Sequence, residues 1–333
     1  MRRLLLLIPV LLGVSVFVFT LTRLAGDPAA AYITEHMSPD AIVAIRERFH
    51  LNEPVYIQYF YWLQGMLGGD WGYSQTAHLP VTEAIAEYFP ATFELTFISI
   101  IIAVVVGIAL GTISAVRRDT PVDHATRVMA LSGVSLPVFW LGLMLQYIFY
   151  SQLGWLPADN RGDLILIINQ GGITEYTGFR LIDSLLTGNP TLFGDALIHL
   201  IMPAVTLSFG TIAIITRIMR SSMLEVMNLD YVKTARSKGM PERLVIRKHA
   251  RRNALIPTTT VIGLSFGGLL SGAVLTESIF NWPGLGRWSA SATLNNDWAA
   301  ILGFTLLAAI IYVLVNLIVD VMYAYLDPRV RLE

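Results

Sequence analysis

The sequence contains no cysteine, which excludes a disulfide framework and thiolate metal ligation alike. Charge is nearly as scarce. Only 14% of the 333 residues are Asp, Glu, Lys or Arg, where a soluble domain carries roughly a quarter. The phosphate-cradling G-x-x-x-x-G-K-[ST] loop is absent, so the chain has no ATP site of that kind, and neither an H-E-x-x-H nor an EF-hand pattern occurs. No low-complexity tract or tandem repeat is evident.

What fills the chain instead is apolar: 54% of residues are hydrophobic and the mean hydropathy is +0.60. Runs free of Asp, Glu, Lys and Arg cover 4–22, 95–116, 128–158, 196–216, 253–276 and 298–319, each at least 19 residues long. A helix needs about 20 residues to cross the hydrocarbon core. The pattern predicts an all-α integral membrane protein with six transmembrane helices, and the apolar patch Leu164–Ile168 is too short to add a seventh. The first run follows Arg2 and Arg3 in the manner of a signal peptide, but it is long for one and five more spans follow, so it is read as a retained span. With the N and C termini cytoplasmic, most of the 23 Lys and Arg residues fall inside, as the positive-inside rule requires. The acidic residues lean outward.

No loop is large enough for a soluble domain, so residues 1–333 are one transmembrane domain. It carries extracytoplasmic loops at 25–90 and 151–198 and a basic cytoplasmic loop at 221–253. In the first outside loop, Ser38 is a fitting N-cap and Pro39 a first helical residue, and an aromatic amphipathic stretch after Glu53 suits a helix lying on the bilayer. Pro9, Pro90, Pro137, Pro203 and Pro257 lie in or beside spans, where neighbouring helices satisfy freed carbonyls. Glu94 and Asp320 lie near span ends, within reach of water or headgroups, which argues against a proton relay.

One catalytic string occurs: Gly263, Ser265 and Gly267 fit G-x-S-x-G. The nucleophile elbow needs a strand, a sharp turn and a helix, whereas this copy lies in a predicted span, where Gly263, Gly267, Gly268 and Gly272 suit close helix packing. Intramembrane proteolysis is the distant alternative.

The basic loop reads "DYVKTARSKGMPERLVIRKHARRNALIP" from residue 230. Attraction to anionic lipid accounts for its charge but not for its pattern. A short helix from Tyr231 to Lys238 stops at Gly239, and Pro241 with Glu242 begins another. Tyr231, Ala235 and Lys238 share a face, and Ala235 with Gly239 forms a low ridge that another surface could approach. Such a helix-turn-helix, tethered at the membrane, suits docking of a protein partner and not of nucleic acid.

At these residues the sequence resembles the permease subunits of ABC importers, in the dipeptide/oligopeptide branch. Their E-A-A-x3-G loop corresponds here to Lys233-Thr234-Ala235-x3-Gly239, with the Glu and first Ala replaced and Arg251-Arg252 where Leu-Pro is usual. Further matches run in order along almost the whole chain: "GDP" (26–28), "GDWGYS" (69–74), "PATFELT" (90–96), "SLPVFWLGLML" (135–145), "RSSMLEV" (220–226), "LTESIFNWPGLGRW" (275–288) and "DPRVR" (327–331). The resemblance implies a type I ABC importer permease fold in a prokaryotic cell membrane and a second homologous permease subunit. It also implies two cytoplasmic ATPase subunits that hold the ATP and Mg this chain lacks, and an extracytoplasmic substrate-binding protein. Tyr231, Lys233, Thr234, Ala235, Arg236, Lys238 and Gly239 would form the ATPase-coupling loop, and Gly239→Pro or Ala235→Arg would abolish uptake without preventing insertion. The implied cargo is di- or oligopeptide; oligosaccharides and nickel chelates are alternatives within the same machinery.

Overall fold

The computed structural model describes residues 2–25, 29, 33, 37–48, 50–270 and 273–326. "GDP" at 26–28 and "DPRVR" at 327–331 lie outside the described residues, as does the side chain of Asp320.

Two long helices form the centre: α4 (Val81–Val116) and α9 (Pro190–Met227). Glycine spacing explains their intimacy. A Cβ on Gly107 would lie 2.7 Å from the Ile215 side chain, and one on Gly111 would lie 2.7 Å from both the Met219 Cβ and the Thr216 carbonyl. Without side chains at those points the two backbones approach closely. Ala103, Ile212 and Ile215 fill the seam between them. Both helices overrun their charge-free runs, because lack of charge marks the membrane-depth segment and not where the hydrogen-bond ladder stops. Asn189 caps α9, accepting N–H bonds from Thr191 and Leu192, with Pro190 at the first position.

Around this pair stand α1 (Arg2–Ala25), α12 (Arg251–Leu270) and α15 (Trp298–Leu326). Gly263 and Gly267 of α12 face Val319 and Val315 of α15, and a Cβ on Gly263 would meet Val319 Cγ2 at 2.0 Å. This packing accounts for the glycines of the G-x-S-x-G string, and Ser265 lies within a helix rather than on a strand-to-helix elbow. The expected fifth run, 253–276, differs in extent, since α12 ends at Leu270 and a separate short helix, α13 (Val274–Ile279), follows.

Four helical stretches, Val81–Val116, Pro190–Met227, Glu242–Leu270 and Trp298–Val319, are each long and apolar enough to cross a membrane. The expected third span is broken. Helix α5 (Pro121–Ser135) and the helix starting with α6 (Val138–Leu145) meet at 105°. Pro137 supplies the reason: it disfavours helical backbone at Leu136, whose φ and ψ are −75° and 129°. α6 continues into a π-helical turn, Gln146–Gln152. In α1 the described apolar part is Pro9–Leu21.

The segments between the long helices are built on the helix ends. Ser38 accepts a bond from the Ala41 N–H at the start of α2 (Pro39–Arg48), as its sequence predicts. α3 (Val55–Leu67) is docked on α1, with Tyr59 hydrogen-bonded to Ser15 at 2.8 Å and its ring edge-on to Phe19, while Tyr56, Phe60 and Leu67 point outward. A two-residue hairpin pairs β1 (Tyr73–Ser74) with β2 (Leu79–Pro80). α7 (Leu164–Asn169) and α8 (Arg180–Leu186) are short caps between α6 and α9. α14 (Leu285–Leu294) lies between α13 and α15.

Glu94 is not a lone charge. Its carboxylate pairs with the buried Arg161 guanidinium and accepts the Leu181 N–H at 2.8 Å. Arg161 in turn lies over the Trp282 ring, 5.6 Å from its centroid. The N-terminal half of α4, α8 and the segment after α13 are thereby locked together.

Candidate functional site: the basic helix-turn-helix

α9 ends at Met227, and after a two-residue turn α10 occupies Asp230–Ser237. Its stop is a Schellman motif: the Gly239 N–H donates to the Arg236 carbonyl at 2.9 Å and the Met240 N–H to the Ala235 carbonyl at 3.3 Å. Gly239 has φ of +73°, in the left-handed region that suits glycine. Pro241 then starts α11 (Glu242–Leu244), which runs through a π-helical turn at Val245–Ala250 into α12. The predicted helix, stop and restart are all present.

α10 has two faces. Val232 and Ala235 point inward and join Met219, Met223, Val226, Val245, Ala250 and Ala254 in one apolar cluster. Tyr231, Lys233, Thr234, Arg236, Lys238 and Gly239 are exposed. The site residues named from the sequence therefore divide. Ala235 is 7% exposed, so the surface that approaches it is the chain's own core, and the ridge expected for a partner is already occupied. Arginine at that position would bury a charge in this cluster rather than probe docking.

Polar clamps hold the outward face in register. The Arg236 guanidinium forks onto Glu242, with Nε to Oε2 at 3.0 Å and Nη2 to Oε1 at 2.7 Å. These bonds raise the Arg236 pKa above its ordinary value. Both side chains are largely solvated, so the fork fixes geometry more than it stabilises the fold. Asn253 on α12 donates to the Tyr231 hydroxyl at 2.8 Å and to the His249 carbonyl at 2.9 Å. Lys233 reaches Asp230 at 3.0 Å. A cavity of about 280 Å³ opens between the end of α4, the end of α9 and the Arg236–Glu242 fork.

Just beyond the loop, α4, α5 and α9 are joined by a buried ion pair. Asp123 is fully buried and accepts two bonds from Arg220, both at 2.8 Å, a third from the Ser114 hydroxyl, and the Asp119 N–H at 3.1 Å. Sequence reasoning missed this pair, as it missed Arg161 as the partner of Glu94. The partners lie 97 and 67 residues apart, and no local periodicity links such positions. Arg220 stood inside a quoted match, "RSSMLEV", without a role.

A helical bundle with several membrane-length helices, carrying a basic helix-turn-helix at one end, belongs to the polytopic membrane class. Comparison with known proteins makes the class particular. Residues 107–332 match the model for the binding-protein-dependent transport system inner membrane component, and residues 1–96 match the N-terminal model of the same membrane components. The dipeptide transport system permease protein of Alkalihalophilus pseudofirmus is 43% identical over 99% of this chain and 98% of its own. The probable D,D-dipeptide transport permease of Escherichia coli is 42% identical over 97% of this chain and 94% of its own, and the glutathione transport permease of Salmonella choleraesuis is 36% identical over 99% and 98%. The chain belongs to the family of binding-protein-dependent transport system inner membrane components.

Proposed function

We propose that this chain is one of two related permease subunits in an ATP-driven importer of di- and oligopeptides, six-spanning with both termini in the cytoplasm. Two cytoplasmic ATPase subunits bind ATP and Mg, an extracytoplasmic protein delivers the peptide, and this chain performs no chemistry of its own. The exposed face of α10, formed by Tyr231, Lys233, Thr234, Arg236 and Lys238 up to the Gly239 stop, is the surface through which ATPase movement reaches the bundle. Alternating access then follows as a shift between two packings, driven by the different affinity of the ATP-bound and ATP-free partners for each.

The observation that carries this reading is the division of α10: an inward face fused to the ends of α9 and α12, and an outward face held by polar clamps. A partner's push on such a helix passes directly into two membrane helices. The peptide cargo is supported by the relatives named above, which are permeases of dipeptide, D,D-dipeptide and glutathione transport systems.

The test is reconstitution. Tagged protein extracted in mild detergent should bring down a P-loop ATPase and a second permease, and proteoliposomes holding the complex should take up a labelled dipeptide when ATP and the cognate binding protein are supplied. Uptake of oligosaccharide or nickel chelate in place of peptide would overturn the cargo, and absence of any ATPase would overturn the mechanism.

A further inference from the structure

The basic end of the bundle holds a second cavity, of about 380 Å³, in a wedge between α5 and α9. The two helices touch where a Cβ on Gly133 would lie 2.7 Å from the Ala213 Cβ. The cavity's walls include Ala130, Leu131, Val134 and Ala213, and its polar side includes Arg127 and Arg217. Leu131 and Val134 are exposed at 69% and 56%, so the apolar wall opens outward.

The two arginines line one cavity from adjacent helices. Arg127 immediately precedes the charge-free run 128–158, and Arg217 immediately follows the run 196–216. Each therefore closes an apolar stretch of sequence, on two helices that pack together. Arg220, also on the lining, is committed to Asp123 through two bonds. Arg127 reaches that carboxylate only at 3.8 Å and otherwise touches His124 Nδ1 at 2.6 Å. Arg217 has no hydrogen bond or ion pair with any described residue. Asp123 thus pairs with Arg220 and, more distantly, Arg127, while Arg217 has no carboxylate partner among the described residues, and the mouth of an apolar slot is left net positive.

We propose that this wedge binds an anionic phospholipid, with Arg127 and Arg217 on the phosphate and an acyl chain along Ala130, Leu131, Val134 and Ala213. A basic pocket between helices at the membrane border is the electrostatic requirement for such a headgroup, and the guanidinium fork suits phosphate oxygens. A flat protein contact would leave the apolar depth of the wedge unfilled. The site involves none of the residues assigned to coupling and stands whether or not the peptide reading holds.

The full-length chain, purified in mild detergent with its accompanying subunits, is titrated with phosphatidylglycerol or phosphatidylcholine, and retained lipid is counted by native mass spectrometry. Phosphatidylglycerol should be retained on the order of tenfold better, from two uncancelled basic residues. The Arg127→Gln/Arg217→Gln double variant should bring the ratio near one. Arg217→Lys should keep the preference, and so should Arg247→Gln, which removes a basic charge elsewhere on the same face. Equal retention of the two lipids, or a preference that survives the double substitution in protein eluting like wild type, would overturn the site. Displacement of phosphatidylglycerol by millimolar inorganic phosphate would show that free phosphate rather than lipid is read, and would overturn the lipid assignment. Loss of the accompanying subunits in Arg217→Gln with lipid retention unchanged would assign the wedge to a protein contact instead.

Discussion

Thr92 on α4 donates its hydroxyl proton to Oε1 of Glu277 at 2.6 Å, and the Thr92 hydroxyl oxygen accepts the Leu285 N–H at 2.8 Å. Oε2 of Glu277 accepts the Arg287 N–H at 2.9 Å, so one fully buried carboxylate joins α4, α13 and the first turn of α14. The chain can enter α14 here only because Gly284 has no side chain, since a Cβ would lie 2.5 Å from both Glu277 Oε2 and Thr92 Oγ1. Thr92→Val removes the hydroxyl, leaving the Leu285 N–H and a carboxylate oxygen without their partner. The cost should be about 1–3 kcal/mol, seen as a lower melting temperature in detergent. Gly284→Ala should lower it further. A Thr92→Val protein that melts with wild type would show that the hub is decorative.

The same carboxylate gives the fold a pH dependence. Glu277 lies beyond the end of α12, and burial pushes its pKa up to about 7, against smaller opposing effects from the Thr92 and backbone hydrogen bonds. A carboxyl whose folded pKa exceeds its unfolded value favours folding most when protonated in the fold. Its contribution is therefore full below about pH 4.5 and lost as pH rises through about 7. Melting temperature should fall between pH 5.5 and pH 8. Glu277→Gln should flatten that slope, because an amide does not titrate in this range. An unchanged slope in Glu277→Gln would place the titration elsewhere.

Asp123 and Arg220 make a harsher demand. Arg220→Met strands a fully buried carboxylate, and breaking such a pair costs on the order of 3–5 kcal/mol. The double variant Asp123→Asn/Arg220→Met removes both charges and should recover much of the loss. Thermal denaturation of the three variants forms a mutant cycle. If the double variant is as unstable as the sum of Arg220→Met and Asp123→Asn, the two residues are not coupled as the geometry requires.

These hubs show where sequence reading stops. Runs without charge located the membrane-depth portions of α4, α9 and α15, and the Ser38–Pro39 start of α2 was legible because capping is local. The stop at Gly239 was legible for the same reason. By contrast, the 105° break at Pro137 depends on how α6 packs against α9 and α13, and a proline alone does not distinguish a gentle kink from a corner. Ala235 misled because a small residue on a helix reads the same whether its neighbour is a partner or the chain's own Met219 and Val245. Asp123, Arg161 and Glu277 were invisible because their partners come from distant turns of the chain.

The coupling reading now needs variants that leave the apolar cluster intact. Lys238→Glu reverses an exposed charge beside the Gly239 stop and touches nothing in that cluster. It should lower ATP-driven dipeptide uptake by about tenfold or more, if the partner surface is complementary and like charges now meet, while membrane insertion and melting temperature stay as in wild type. Gly239 allows a finer cut. A Cβ there meets no atom within 4 Å, so Gly239→Ala suffers only the left-handed backbone cost of about 1–2 kcal/mol and should retain partial uptake. Gly239→Pro cannot adopt the observed φ of +73° and loses the N–H that bonds to Arg236, so the Schellman stop and the aim of α10 go with it. Uptake should disappear in Gly239→Pro although the protein still reaches the membrane. Equal uptake in Gly239→Pro and wild type would mean that the orientation of α10 does not transmit force, and the coupling surface would have to be sought elsewhere on the basic loop.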